Sequence, residues 1–168
     1  MLLLKEVPQY ECLLERSRRY PELDPSAMEA FLHLLRTSTD VFFVFRALLA
    51  KHELSQGRFV VLALLNRDPG KPVNLADLAE RSRVTRATMT GLIDTLERDR
   101  LVKREPSAGD RRMLLVRLTN TGKAFLEKIL PHYFRGVTAL MGGLSDAERK
   151  TLVRLMTKIS KQVSEVEN

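Results

Sequence analysis

Two short helical patterns, separated by a break at residues 82–84, constrain the fold of this chain more than any other feature of its sequence. The first, NLADLAERSRV, begins at Asn74, which is suited to capping a helix, and turns Leu75, Leu78 and Ala79 to one face. The second, TRATMTGLIDTLERDR, places four apolar residues at positions i, i+3, i+4 and i+7, namely Met89, Leu92, Ile93 and Leu96. Two short helices joined by a tight turn are the outline of a helix-turn-helix.

The opposite surface of the second helix carries short polar side chains and one cation near its N-terminus. These residues are Thr85, Arg86, Thr88 and Thr90. Such a surface can approach the base edges of DNA in the major groove without a bulky barrier. The alternative is an ordinary amphipathic helix with a solvated face, and this helix alone does not decide between the two.

The segment that follows predicts a β-hairpin beside this helix. Its parts LVKRE, PSAGD and RRMLLVRLT give two strands joined by a loop, with Leu114, Val116 and Leu118 alternating against Met113, Leu115 and Arg117. The loop carries Arg111 and Arg112, from which a cation can reach adjacent phosphates or a narrow minor groove. Asp110 can brace Arg112 by accepting a hydrogen bond; the alternative is a routine surface ion pair of little energetic value.

Helical patterns precede this module. Residues 1–25 are predicted as an N-terminal arm with a short helix-compatible piece, YECLLERSRRY. A long first helix follows and runs to about His52. Its cap is Asp24 or Ser26, and Ser26 with Glu29 would complete a capping box. A further helix begins at a serine in SQGRFVVLALLNRDPG.

Two more helices are predicted after the hairpin. Thr119 caps the first, which Pro131 should interrupt and kink. A capping box of Ser145 and Glu148 opens the second. One apolar face of that last helix needs a surface to pack on, and it consists of Leu152, Leu155, Met156, Ile159 and Val163. The predicted fold class is therefore mainly α with a small β-hairpin wing (α+β), a winged helix-turn-helix.

Charge favours a nucleic-acid partner, and composition excludes several other classes. Residues 71–123 contain 12 Lys and Arg against 7 Asp and Glu, so they hold +5 of the net charge of +7, although a solvated basic face is the plainer alternative. No apolar run approaches the roughly 20 residues that span a bilayer, and the single Cys12 forms no internal disulfide, so we expect a cytoplasmic protein. No phosphate loop, nucleophile elbow or metal-ligand spacing is present, so the sequence predicts no enzyme, no metal site and no cofactor.

A known family shares these motifs. The sequence GDRR at residues 109–112, followed by V-x-L-T-x-x-G at residues 116–122, resembles the wing and the following helix start of the MarR (multiple antibiotic resistance regulator) family. The segment LADLAERSRVTRATMTGLIDTLERDRLVKRE is similar to that family's helix-turn-helix. The resemblance covers residues 30–160, and the arm and the KILPHY segment look most like the multidrug-efflux regulators of the family.

The resemblance implies a homodimer that binds a pseudo-palindromic double-stranded operator and usually represses transcription. By position, Arg112 is the wing arginine that enters the minor groove, Asp110 orients it, and Arg111 meets phosphate. Ser82 and Arg83 lie in the turn and would contact the DNA backbone. A dimer with two-fold symmetry would set its two recognition helices about 34 Å apart, one turn of B-DNA.

The same resemblance implies a division of the chain. An N-terminal arm occupies residues 1–25, and a first dimerisation helix occupies residues 26–53. The winged helix-turn-helix lobe extends over residues 54–123, and residues 124–168 supply the C-terminal dimerisation helices.

Regulation is the least constrained part of the prediction. Members of this family commonly release DNA when an amphipathic, often phenolic or anionic, compound binds, and the candidate lining residues here are His33, Arg36, Phe43 and Phe59; each is also an ordinary core or rim residue. A thiol-oxidation switch at Cys12 is one alternative, with a bystander thiol as its plain counterpart. A nonspecific architectural DNA-binding protein is the other alternative.

Overall fold

The computed structural model describes residues 6–68, 70–107 and 114–166. Within these ranges the chain forms seven helices and three short strands. In chain order they are α1 (Tyr10–Arg19), α2 (Pro25–Ala50), α3 (Gln56–Asn66), β1 (Val73–Asn74), α4 (Leu75–Arg81), α5 (Arg86–Arg98), β2 (Val102–Pro106), β3 (Leu114–Leu118), α6 (Asn120–Met141) and α7 (Asp146–Val166). No helix in this part of the chain has both the length and the hydropathy that a membrane crossing requires. The mainly α fold with a small sheet is as predicted.

The predicted helix pair is present as α4 and α5, and its apolar faces lie in the core. Leu78 of α4 and Met89, Ile93 and Leu96 of α5 are fully buried. They form one cluster with the apolar face of α3 and with the inner sides of β2, β3 and α6. Burying a side chain of this size is worth about 2 kcal/mol, so the core holds the back of α5 firmly in place.

Three helices, α2, α4 and α5, are followed by turns of the same type. Glu53, Arg83 and Arg100 have φ angles of 55°, 51° and 59°, in the left-handed region. In each case the next residue is apolar and its N–H donates to a carbonyl five residues earlier: Leu54 to Leu49, Val84 to Ala79 and Leu101 to Leu96. This is the Schellman arrangement, with its usual apolar contact after the helix end. These turns set the directions in which α3, α5 and β2 leave the preceding helices.

The sheet has three strands in the order β1-β3-β2, and both pairings are antiparallel. The pairing of β1 with β3 was not predicted from the sequence. Lys103 stands opposite Arg117, and Arg104 stands opposite Val116. Val116 is fully buried, whereas Leu114, at the distal end of the hairpin, is 47% exposed. The inward side of the strand therefore reaches the core at Val116 but not at Leu114.

Helix caps were predicted with one error. Asp24, not Ser26, is the N-cap of α2: its carboxylate accepts from the backbone N–H groups of Ser26 and Ala27 at 2.8 and 3.1 Å. The expected box of Ser26 and Glu29 is therefore wrong, because Pro25 occupies the first helical position and leaves the cap to the residue before it. The backbone N–H of Ala27 and then the hydroxyl of Ser26 lower the pKa of Asp24.

The last two helices follow the chain after the hairpin. Thr119 caps α6 by accepting from the N–H of Gly122 at 2.9 Å. The helix then runs through Pro131 without the interruption that the sequence suggested. The capping box that opens α7 is confirmed: the N–H of Ser145 donates to Glu148 at 2.7 Å, and the N–H of Glu148 donates back to the serine hydroxyl at 3.4 Å.

Candidate nucleic-acid interface

The N-terminus of α5 is organised by two threonines. Thr85 is the N-cap, and its Oγ1 accepts from the backbone N–H of Thr88 at 3.1 Å. The two hydroxyl oxygens are 2.9 Å apart and share a hydrogen bond. Both side chains are exposed. Thr85 therefore uses its hydroxyl to fix the first turn, and it presents Thr88 to solvent in a defined position.

The outer face of the helix is built from small side chains and one cation. The Oγ1 of Thr90 donates to the carbonyl of Arg86 at 2.9 Å, and both residues are exposed. Ala87 and Gly91 are exposed between them, and a β-carbon added to Gly91 would meet no atom within 4 Å. At 100° per residue, Ala87, Thr90 and Gly91 lie opposite the buried side. The sequence analysis did not include Ala87 and Gly91 in this outer face. Their spacing from Thr90, three residues before it and one after it, places them on the same side of the helix.

The turn between α4 and α5 carries the two predicted backbone contacts. Arg83 is exposed and adopts the left-handed conformation described above. Ser82 is half-buried, and its Oγ is enclosed with no hydrogen-bond partner among the described residues. Arg83 is thus the more accessible of the two to a phosphate.

The base of the wing is described, and its tip is not. Asp110, Arg111 and Arg112 lie outside the described residues, so their predicted roles stay predictions. At the base, Lys103 and Arg117 are directly opposite one another, and each lies 3.4 Å from a carboxylate oxygen of Glu105. Glu105 thereby offsets the repulsion between two like charges on neighbouring strands.

One arginine of the wing reaches the flank of α5. Arg104 donates from its guanidinium to Glu97 at 2.6 Å and to Asp94 at 2.5 Å, and its backbone N–H donates to Glu97 at 2.8 Å. Partial burial disfavours the charged guanidinium, but the hydrogen bonds and charges of the two carboxylates outweigh it and raise the pKa of Arg104. Sequence analysis placed this residue only in a strand, because helical periodicity does not fix how a strand meets a neighbouring helix.

The four predicted ligand-lining residues are found in different environments. His33 and Phe43 are exposed on α2, and the Nε of Arg36 donates to Asp40 at 2.8 Å. Phe59 is 6% exposed, and its ring centroid lies 4.6 Å from that of Tyr133. Phe59 is therefore a core residue in this single chain, and the binding role of all four stays a prediction.

Clefts on the surface of the described residues lie elsewhere, and two of them adjoin the long helices. One, of about 570 Å³, lies between the end of α2 and the start of α3 and is lined by Phe42, Arg46, Ala50, Glu53, Leu54, Ser55, Gln56 and Gly57. The other, of about 780 Å³, lies along α7 and is lined by Met141, Arg149, Leu152, Val153, Met156, Thr157, Ser160 and Lys161. None of the four predicted residues lines either cleft.

Cys12 is an exposed, free cysteine on α1. Within residues 6–68, 70–107 and 114–166, no group of three or more His, Cys, Asp or Glu side chains is placed to hold a metal ion.

Comparison with known proteins gives concordant matches. The model of the MarR family matches residues 54–114, which include α4, α5 and β2. The chain is 35% identical over 161 residues to the HTH-type transcriptional repressor YetL of Bacillus subtilis (strain 168), and the match covers 96% of each chain. Because the match covers 96% of each chain, the similarity to YetL includes the helices that flank the helix-turn-helix as well as the helix-turn-helix itself.

Two solved structures are similar in fold and in sequence. BpsR of Bordetella bronchiseptica, whose DNA binding is regulated by 6-hydroxynicotinic acid, is 31% identical with a TM-score of 0.66, covering 76% of this chain and 96% of that one. The transcriptional repressor CouR, bound to a 23-mer DNA duplex, is 28% identical with a TM-score of 0.69, covering 77% and 90%.

Proposed function

Because this chain belongs to the MarR family of DNA-binding transcription regulators, we propose that it is a homodimeric repressor that binds a pseudo-palindromic operator and releases it when a small aromatic or amphipathic molecule binds. The observation that carries the proposal is the construction of α5. Its outer turns expose Arg86, Thr88 and Thr90 beside small residues, while its inner side is fully buried. A helix whose inner side is fixed by the core and whose outer side carries small side chains can enter the major groove of DNA.

The dimer is proposed from the apolar surface that one chain leaves uncovered. Within the described side chains of α7, Leu152 is half-buried and the others are exposed. Leu155, Met156 and Ile159 are 45%, 40% and 44% exposed, and Phe31, Leu35, Phe42 and Phe43 of α2 are exposed as well. Apolar faces of this extent mark an interaction surface. A second copy of the chain supplies matching faces, and its two-fold symmetry would pair two half-sites.

The effector is proposed as a small aromatic acid, since the DNA binding of BpsR responds to 6-hydroxynicotinic acid. The cleft between α2 and α3 offers the ring of Phe42 and the guanidinium of Arg46 at its lining. It also adjoins α5, because Gly57 packs against the side chain of Leu92. A ligand bound there would contact Gly57 and could act on the helix proposed to read DNA through the packing of α3 against Leu92. His33, Arg36 and Phe43 remain candidates for a site completed by the second copy.

The test begins with selection of bound duplexes from a random DNA pool. Enrichment of a pseudo-palindrome, with half-sites about one helical turn apart, supports the dimeric regulator. Binding that is equally tight to the winning duplex and to a shuffled one would instead establish the architectural alternative. The selected duplex then serves to screen aromatic acids, 6-hydroxynicotinic acid among them, for release.

Two variants test the remaining parts of the proposal. Arg112→Ala should weaken binding to the selected duplex and leave the dimer intact, whereas Arg154→Ala on α7 is the matched control with the same loss of charge; equal effects would remove the wing from the mechanism. Cys12→Ser answers the thiol alternative. If peroxide releases the wild-type protein but not this variant, oxidation rather than an aromatic acid is the signal.

A further inference from the structure

Arg104 contacts α5 along a stripe that spans about two helical turns. Its guanidinium nitrogens lie 3.5 Å from the carbonyl oxygen of Thr90, 2.5 Å from the carboxylate of Asp94 and 2.6 Å from that of Glu97. These three residues share one side of the helix because they are spaced by four and then three positions. Contacts at three levels of one stripe oppose both sliding and rolling of the helix.

The main chain of the wing takes part in the same arrangement. Glu97 accepts from the backbone N–H of Arg104 through Oε1 and from its guanidinium through Oε2. Arg104 itself is paired across the sheet with the fully buried Val116. The strand that leads to the wing tip and the helix that carries the exposed threonines are therefore tied at one residue.

The positive charge of Arg104 is already paired with carboxylates of the protein itself. Its side chain is 20% exposed and faces two carboxylates, so it is poorly placed to neutralise a DNA phosphate. The upper end of the stripe is the carbonyl of Thr90, next to the exposed turn formed by Arg86 and Thr90. A shift of the helix here would displace the side chains proposed to meet base edges.

We propose that Arg104 is a positioning residue that fixes α5 against strand β2 of the wing and thereby sets the sequence preference of DNA binding. This inference rests on the proposal that α5 reads DNA. Lysine at this position would keep the positive charge but would lose the planar fork that serves two carboxylates at once. Geometry and charge can therefore be separated by substitution.

The experiment compares Arg104→Lys and Arg104→Met with the wild-type dimer. Each is titrated with the duplex selected from a random pool and with a shuffled duplex of the same composition, at two salt concentrations. Thermal melting establishes that each variant is folded. Asp94→Asn provides a second route, because Asp94 is 58% exposed and its loss removes one arm of the contact at little risk to folding.

Positioning predicts that Arg104→Lys lowers affinity for the selected duplex about tenfold while affinity for the shuffled duplex changes little. The slope of log K against log salt should stay at its wild-type value, since no phosphate contact is lost. Asp94→Asn should lower the ratio of the two affinities in the same direction. An equal loss on both duplexes with a smaller salt slope would make Arg104 a phosphate contact and overturn the proposal.

Charge neutralisation is the other explanation to be eliminated. In a background of Asp94→Asn and Glu97→Gln, the carboxylates that Arg104 would neutralise are gone. If Arg104→Met then has wild-type preference, or if Arg104→Lys alone retains it, charge is sufficient and positioning is wrong. Arg86→Ala separates this failure from failure of the proposed function: if it leaves binding to the selected duplex unchanged, α5 is not the reading helix at all.

Discussion

The α-carbon of Gly122 lies so close to the carbonyl oxygen of Leu101 that a β-carbon on the glycine would overlap that oxygen, and it would also come within 2.9 Å of Leu118. Leu101 follows α5, and Gly122 is in the first turn of α6. Thr119 completes the joint, because its N–H donates to Leu101 at 3.1 Å and its hydroxyl to Arg100 at 2.7 Å. The L-T-x-x-G motif thus packs the start of α6 closely against the end of α5.

Gly122→Ala should destabilise the protein by about 3 kcal/mol, since backbone atoms on both sides must move to admit the methyl group. Urea unfolding at fixed protein concentration measures this loss. Gly91→Ala is the matched control: it lies in a helix with open space around it and should stabilise by about 0.5–1 kcal/mol. Similar effects of the two substitutions would contradict the close approach at Leu101.

Arg100→Gly should raise the unfolding free energy by about 1 kcal/mol, because Arg100 has a φ of 59° and a side chain disfavours that region. Arg98→Gly, two residues earlier and still helical, should lower it by about the same amount. Opposite signs at neighbouring arginines are the expected signature in chemical denaturation. Destabilisation by both would mean that the turn after α5 is not left-handed.

Glu148→Gln should weaken the start of α7 most at neutral pH. The hydroxyl and then the N–H of Ser145 lower the pKa of Glu148, so its carboxylate is bound more favourably in the folded state. Stability from a carboxyl of lowered pKa is fully present above its ordinary value of 4.5 and is lost as pH falls through the folded value.

The difference in unfolding free energy between wild type and Glu148→Gln should therefore shrink as pH falls below 4.5. In a Ser145→Ala background the same substitution should have a smaller effect at every pH, because the partner of the carboxylate is missing. A difference that is independent of pH would show that the charge of Glu148 does not support the cap.

Thr88→Val should change preference among operator variants more than it changes binding to random DNA, because the hydroxyl at the exposed start of α5 is lost while the shape is kept. The effect on the preferred duplex should be about tenfold. Thr95→Val, whose hydroxyl donates to the carbonyl of Gly91 at 2.9 Å farther along the helix, is the control. A uniform loss on all duplexes would instead identify Thr88 as a phosphate contact.

Local features of this fold could be predicted from the sequence. The buried faces of α4 and α5, the caps at Asn74 and Thr119, and the hairpin strands depend on residues close together in the chain. Their period and capping chemistry are therefore readable directly. The choice of Asp24 over Ser26 was within reach of the same rules, because proline favours the first helical position.

Features that depend on the meeting of distant segments could not be predicted in this way. The reach of Arg104 to Asp94 and Glu97 depends on how β2 lies across α5, and nothing in either pattern specifies that register. The addition of β1 to the sheet has the same origin. Thr88 and Thr90 were chosen because they are short polar residues opposite the apolar face of the helix. Their exposure on the outer turns of α5 agrees with that choice, but their contact with bases stays a prediction.

The unbroken course of α6 has a mechanical consequence. Its 22 residues form a rod of about 33 Å that starts at the joint with Leu101 and ends just before α7. A tilt of only about 10° about one end of such a rod moves the other end by about 6 Å, more than one turn of helix. A small rotation at the α7 end of α6 would thus displace its other end, at the joint with Leu101, by several ångströms.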